Sequence, residues 1–312
     1  MSEASLAAKV VGEVKKAVVG KDEIVVKTLL AILARGHVLL EDIPGVGKTT
    51  MAIAFSKALG LNYNRVQFTP DVMPSDLTGF SLYNKAAGQM EYQPGALLCN
   101  LFLADELNRA TSRTQSALLE AMEEGRVTVD GVSRPVPDPF LVIATQNPAG
   151  ASGTQLLPDS QLDRFALRLS MGYPEPADEL ELLHRKLRGD SMGSVAQAAG
   201  REELARLRAI VDGVFLGDIV LDYILRLVRA TREHKGLAQG ASPRAAISLA
   251  MLCRASAFLH GRDYVIPEDV KYLWVDAIAH RLILPVGAAG GAQRTVQIAQ
   301  EILASVQPPR VR

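Results

Sequence analysis

The sequence predicts an α/β domain built on a parallel sheet, followed by a smaller domain made only of helices. Three observations carry that expectation. Short apolar runs suited to buried strands alternate with helical patterns over the first 172 residues. A break, "GYPEP" at Gly172–Pro176, ends the alternation. Beyond it the apolar residues recur with helical spacing as far as Thr295–Val306.

The N-terminal stretch "MSEASLAAKVVGEVKKAVVG" is interrupted by Glu3, Lys9, Glu13 and Lys15, so it reads as an amphipathic helix and not as a signal peptide. "GHVLLEDIPGVGKTT" (Gly36–Thr50) then gives an apolar strand, a loop with Pro44, Gly45 and Gly47, and a helix opening at Lys48-Thr49-Thr50. Such a turn aims backbone N–H groups and the positive end of a helix dipole at one spot, which suits an anion. Lys48 would add an ammonium for β- and γ-phosphates, and the Thr49 hydroxyl can ligate Mg²⁺. The pattern G-x-x-x-x-G-K-[ST] is missed at one position, where this chain has Asp42. A strand–turn–helix that merely contains glycine and lysine is the competing reading. The strand before and the helix after favour the phosphate loop.

A helix to Leu59 and a short strand in "YNRVQFT" follow. From Pro70 to Gly95 the composition turns to Pro, Gly, Asp and Ser, and the segment reads as an insert with exposed loops outside the core. "ALLCNLFLADE" is a central strand ending in an acidic pair, of which Asp105 would bind Mg²⁺ and Glu106 would act as general base on water. A helix cap or surface charge is the plainer reading of such a pair. "SRTQSALLEAMEEG" is a helix closed by Gly125, and "RVTVDGVSRPV" is a hairpin turning at Asp130-Gly131. "FLVIATQNP" is a strand whose terminal Asn147 can orient water, or can simply start an Asn-Pro turn. "FALRLSMG" is the last strand. Arg164 stands in "PDSQLDRF", and Arg244 in "ASPRAA", where Ser242 is a candidate N-cap and Pro243 a first-turn residue. Each arginine alone reads most simply as half of a surface salt bridge.

Composition narrows the class. Lysine plus arginine and aspartate plus glutamate are each 34, so there is no net charge of the kind a general nucleic-acid binder carries. Cys99 and Cys253 lie far apart in apolar runs, which predicts buried free thiols and a reducing cytoplasm. No apolar run is long enough to span a bilayer.

The order of the motifs (phosphate loop, "LFLADE", "ATQNP", "QLDRF", "SPRA") resembles the AAA+ ATPases. "LLEDIPGVGKT", "RVQFTPDVMPSDLTG", "LADELNRA", "TQSALLEAMEEGRVTVDG", "LPDSQLDRF" and "VIPEDVKYL" are similar to the MoxR family within them. The resemblance runs from about Val18 to Leu284 and implies an AAA+ core with a five-stranded parallel sheet at 1–172 and a helical lid at 173–312. It also implies ATP/ADP with Mg²⁺ as cofactors, and a homo-oligomer, expected as a hexameric ring. By the same resemblance Val18, Val19 and Gly20 border the adenine. Asp42, Pro44, Gly45, Val46, Gly47, Lys48, Thr49 and Thr50 hold the phosphates, with Thr49 and Asp105 at the metal. Arg244 is expected to touch the γ-phosphate of its own subunit, and Arg164 to reach a neighbour's nucleotide. Arg109 and Arg113 either cross that interface or are surface helix charges. The segment 70–95 corresponds to the helix-2 insert and 126–135 to the pre-sensor-1 hairpin. Asp42 is acceptable to the family. The loop "NPAGASGTQLLP" lacks the acidic residues that many relatives carry there.

The implied function is an ATPase that remodels or matures a partner protein, as MoxR relatives do with von Willebrand A-domain partners. The alternatives are a DNA-processing ring motor and a nucleotide switch that does not hydrolyse. Zero net charge, with Lys85 the only basic residue between Asp71 and Gly95, favours a protein client over nucleic acid. Glu106 and Asn147 argue against the switch.

Overall fold

In the computed structural model of the protein, residues 3–43, 45–147, 157–189 and 191–310 are described. Pro44 and most of the loop after Asn147 lie outside them.

The strands, in chain order, are β1 (Val38–Glu41), β2 (Tyr63–Gln67), β3 (Gly79–Asn84), β4 (Gln89–Pro94), β5 (Leu101–Asp105), β6 (Arg126–Val129), β7 (Val132–Pro135), β8 (Leu141–Gln146) and β9 (Leu167–Leu169). Five of them form one parallel sheet in the order β2-β5-β8-β1-β9. The remaining four make two antiparallel hairpins, β3–β4 and β6–β7. The second hairpin turns at Asp130 and Gly131, both at positive φ, as the Asp-Gly pair predicts.

The central strands are apolar up to their C-terminal ends because both faces are covered. Leu101, Leu103, Leu141 and Ile143 enter one core layer, and Phe102, Ala104, Val142 and Ala144 enter the other. The first layer packs against helices Glu3–Lys15, Asp22–Leu33 and Lys48–Ala58, and it continues into the C-terminal helices. The second is closed by helix Ser112–Glu124. Such two-sided burial produces the continuous apolar runs seen in the sequence.

The C-terminal part is helical at Pro176–Arg188, Arg201–Asp212, Asp218–Glu233, Pro243–Leu259, Pro267–Ile278 and Gly291–Ser305. It is fastened to the sheet domain by polar contacts as well as by core. Arg208, buried, donates from Nε and Nη2 to the Ile32 carbonyl at the end of helix Asp22–Leu33. Lys27 pairs with Asp276 across the same boundary.

The insert differs from its reading as exposed loop. It folds as a short helix, Pro74–Thr78, and the hairpin β3–β4, and Leu77 is fully buried in the second core layer. The loop-like composition hid this apolar anchor, beside which Val72 also packs on the core. Beyond Leu77 the hairpin does stand out from the core, with Phe80, Leu82, Tyr83 and Met90 exposed. Among the described residues no helix is long and apolar enough to cross a membrane. Cys99 and Cys253 are both free and buried, and burial pushes the Cys99 thiol up to about 12.

Candidate active site

The phosphate loop leaves β1 at its C-terminal end and closes on Gly47, whose φ of 97° favours glycine and which caps helix Lys48–Ala58. Lys48 folds back over the loop, and its Nζ donates to the Asp42 carbonyl at 2.7 Å. Burial lowers the pKa of this ammonium, against the opposing pull of Asp42, Asp105 and Glu106. The Asp42 carboxylate is committed elsewhere. It accepts from the backbone N–H of Ile43 (2.9 Å) and of Gly172 (2.7 Å), and from Ser170 Oγ (3.2 Å). Asp42 therefore ties the start of the loop to the segment after β9, so an aspartate there serves the loop's shape. Thr49 and Thr50 follow Lys48 in the first helical turn.

At the end of the neighbouring strand β5, Asp105 is held on both carboxylate oxygens. Thr145 Oγ1 donates to Oδ1 at 2.7 Å and Arg65 Nη2 to Oδ2 at 2.7 Å. The same Thr145 oxygen accepts from the Glu106 N–H at 2.9 Å, so one hydroxyl sets the spacing of both acids. Glu106 sits in the left-handed region at φ 57°, which costs a non-glycine residue roughly 1–2 kcal/mol. Its Oε2 accepts from Arg109 Nη1 at 2.7 Å, and its Oε1 lies 3.5 Å from Asn147 Nδ2. The three expected residues Asp105, Glu106 and Asn147 thus meet at the C-terminal ends of β5 and β8, next to the phosphate loop on β1. Arg109 is engaged with its own subunit's Glu106.

Among the described residues no cluster of three or more His, Cys, Asp or Glu side chains is poised for a metal ion. The donor set of Thr49 and Asp105, one hydroxyl and one anchored carboxylate, nonetheless fits Mg²⁺, which takes few protein oxygens and completes its shell with phosphate oxygens and water.

Beside the loop lies a cavity of about 500 Å³ lined by Val18, Val19, Gly45, Val46, Gly47 and Thr50, with Tyr173, Leu182 and Leu183 opposite. An apolar slot next to a phosphate cradle is the shape of a purine site. Gly20 lies in the chain between the lining residues Val19 and Lys21. A side chain at Gly20 would collide with the Asp178 carboxylate and would have to adopt φ 67°. Val18, Val19, Gly45, Val46, Gly47, Lys48, Thr49 and Thr50 are therefore brought together as the sequence motifs suggest.

The two arginines are elsewhere. Arg164 donates from Nη1 to the Leu119 carbonyl at 2.6 Å, and its Nη2 pairs with Glu123 at 3.0 Å. Arg244 pairs with the other oxygen of the same Glu123. Both line a cavity of about 290 Å³ together with Arg35, Gly36, His37 and Arg281. Gly36 and His37 precede β1, whereas the phosphate loop follows it. Arg164 and Arg244 therefore share the N-terminal edge of the sheet, across from Lys48. The structure does not bring Arg244 to its own phosphate loop, contrary to the expectation of contact within one subunit. The N-cap geometry of Ser242 and Pro243 is as expected, but it fixes only how the helix starts.

Sequence reasoning passed over Thr145, Arg65, Glu123 and Arg281. Thr145 had a signal, being a hydroxyl in an otherwise apolar strand run. The other three are surface-type residues whose partners lie far away in the chain.

Comparison with known proteins bears on this geometry. Residues 37–167 match the family described as the ATPase family associated with various cellular activities (AAA), and residues 229–302 match the AAA lid domain. The chain is 44% identical to the uncharacterized protein YeaC of Bacillus subtilis over 97% of its own length and 95% of the relative's. It is 39% identical to Chaperone MoxR1 of Mycobacterium tuberculosis, over 96% of this chain and 81% of that one. The chain belongs to the MoxR family of AAA ATPases. The crystal structure of a candidate ATPase from Cytophaga hutchinsonii matches this MoxR-family chain with a TM-score of 0.90 and 37% identity, covering 99% of this chain and 96% of the other. Membership of an AAA ATPase family carries nucleotide binding with it.

Proposed function

We propose that this MoxR-family chain hydrolyses ATP with Mg²⁺ at sites shared between adjacent subunits of a ring, and that hydrolysis drives remodelling of a partner protein. One observation carries the shared site. Lys48 and the pair Arg164–Arg244 lie at opposite ends of β1, a strand of four residues that alone spans about 13 Å. No single subunit assembles loop, acids and arginines in one place, whereas the arginine edge of one subunit can face the loop edge of the next.

In that site Lys48 and the backbone N–H groups from Gly45 to Thr50 bind the β- and γ-phosphates. Thr49 and Asp105 hold the Mg²⁺, which would neutralise charge on the transferring phosphoryl group. Glu106 takes the proton from the attacking water, and Asn147 orients that water. Arg164 and Arg244 of the neighbour stabilise the charge that builds on the γ-phosphate. The protein client is favoured over nucleic acid by zero net charge and by the exposed apolar side chains Phe80, Leu82 and Met90 on the insert hairpin. A hexamer, a cytoplasmic setting and the division of the chain at Gly172 belong to the same proposal.

The test is complementation. Arg164→Ala and Lys48→Ala should each be nearly inactive alone, the former by on the order of a thousandfold with ATP binding retained. Mixed in equal amounts they should recover turnover, because an intact loop on one variant meets an intact arginine on the other. Co-assembled mixtures that stay silent at every ratio would overturn the shared site.

A further inference from the structure

The loop that carries Arg164 is held from two sides, by Leu119, Glu123 and His37 of the sheet domain and by several groups from the C-terminal helices. Arg281, at the end of the turn Ala279–Arg281, donates from a single nitrogen, Nη2, to the carbonyls of Asp163 (3.2 Å) and Phe165 (2.8 Å). Those carbonyls belong to the residues on either side of Arg164. Its Nε faces Asp163 Oδ1 at 3.3 Å. The adjacent His280 adds a bond from Nε2 to the Phe165 carbonyl at 2.9 Å. From a separate element, Ser242 Oγ donates to the Asp163 carboxylate at 2.9 and 3.0 Å. Ser242 is the N-cap of the helix whose second residue is Arg244.

Arg281 is 6% exposed and lines the same cavity as Arg164 and Arg244. Its Nη1 and Nε are both buried without a hydrogen-bond partner, Nε standing only at ion-pair distance from Asp163. Burying a guanidinium with donors left unpaired costs stability.

We propose that Arg281 is a positioning residue for hydrolysis in the neighbouring subunit: it fixes the backbone on both sides of Arg164, and with Ser242 it makes Arg164 and Arg244 move as one unit with the lid. This rests on the shared-site reading above. Arg281 does not touch nucleotide. It sets where its own subunit's arginines stand, so a defect at Arg281 appears in the pocket next door and leaves its own pocket sound.

The experiment uses Arg281→Met, which removes the donors and keeps much of the volume. In a uniform ring this variant should lose at least tenfold in turnover, while ADP affinity stays within twofold. Mixed with Lys48→Ala subunits it should regain turnover, as Arg164→Ala does. A change that merely weakened the fold would impair the variant's own pocket and would not be rescued from that side. Recovery with Arg164→Ala but none with Arg281→Met overturns the positioning role and leaves the shared site standing. Silence of both mixtures overturns both. Ser242→Gly supplies a second arm that is independent of the buried charge, since glycine is tolerated at an N-cap. It should lose severalfold in turnover with the same sided rescue, and a wild-type rate in Ser242→Gly together with Arg281→Lys would overturn the proposal even if Arg281→Met failed to fold.

Discussion

Glu106 and Arg109, three residues apart, form an ion pair at 2.7 Å on the rim of the phosphate loop. The pair is partly exposed, so it adds little to stability, on the order of 0–1 kcal/mol. Its interest lies in the proposed base being held in the left-handed backbone region with a fixed partner. Glu106→Gln keeps the shape and removes the basicity. ATP affinity should be unchanged and turnover should fall by about a hundredfold or more, read by calorimetry and by phosphate release. A Gln variant that turns over at the normal rate would remove Glu106 from the mechanism.

Lys48 is buried, and its Nζ donates to the Asp42 carbonyl. Lys48→Ala should leave the loop folded, because the Asp42 carboxylate still holds it through Gly172 and Ser170 once the lysine's bond is lost. ADP binding should weaken by more than about a hundredfold, the loss expected of a charge-assisted phosphate contact in a partly desolvated site. Titration calorimetry with ADP checks this, and near-normal affinity would show that the backbone cradle suffices.

His37 stands at the N-terminal end of β1, accepting from the Val142 N–H on Nδ1 and donating from Nε2 to the Met122 carbonyl. Burial lowers its pKa to about 4, so the folded protein keeps the ring neutral. The unfolded chain takes up a proton near pH 6.5 that the folded chain refuses until about pH 4. Stability is therefore full above pH 6.5 and falls as the pH drops through that window. His37 alone should cost about 2 kcal/mol by pH 5. His280, also buried and also lowered, adds to the same slope. Urea unfolding at pH 7.5 and pH 5 measures the loss, and equal midpoints would contradict it.

The insert should come apart at Leu77. Replacing 80–93 with a short Gly-Ser linker should preserve the circular dichroism spectrum and basal ATP turnover while abolishing coupling to a client. Leu77→Ala should instead cost about 2–5 kcal/mol, as expected for a fully buried leucine. Unfolding of the hairpin deletion would show that β3–β4 belongs to the core.

The sequence made legible whatever is written locally. The five strand runs, the Asp130-Gly131 turn, the Ser242 cap and the cluster of Lys48, Asp105 and Glu106 all follow from short-range pattern and from the order of motifs. What it could not show depends on contacts between distant segments. Thr145 serves Asp105 and Glu106 only because β8 lies beside β5. Asp42 turns away from the phosphate side only because β9 lies beside β1 and carries the chain on to Gly172. The edge at which Arg244 emerges is set by the packing of the C-terminal helices, and a cap signal is blind to it. In the insert one buried leucine was lost among polar neighbours.

The parallel sense of all five sheet strands has a consequence for symmetry. Each subunit has two unlike edges, one bearing Lys48 and the other Arg164 with Arg244. In a heterologous contact these unlike edges meet at every interface, and such contacts either close into a cycle or grow into an open helix. An assembly of this sort has a direction. A subunit damaged at one edge harms the neighbour on one side and spares the other.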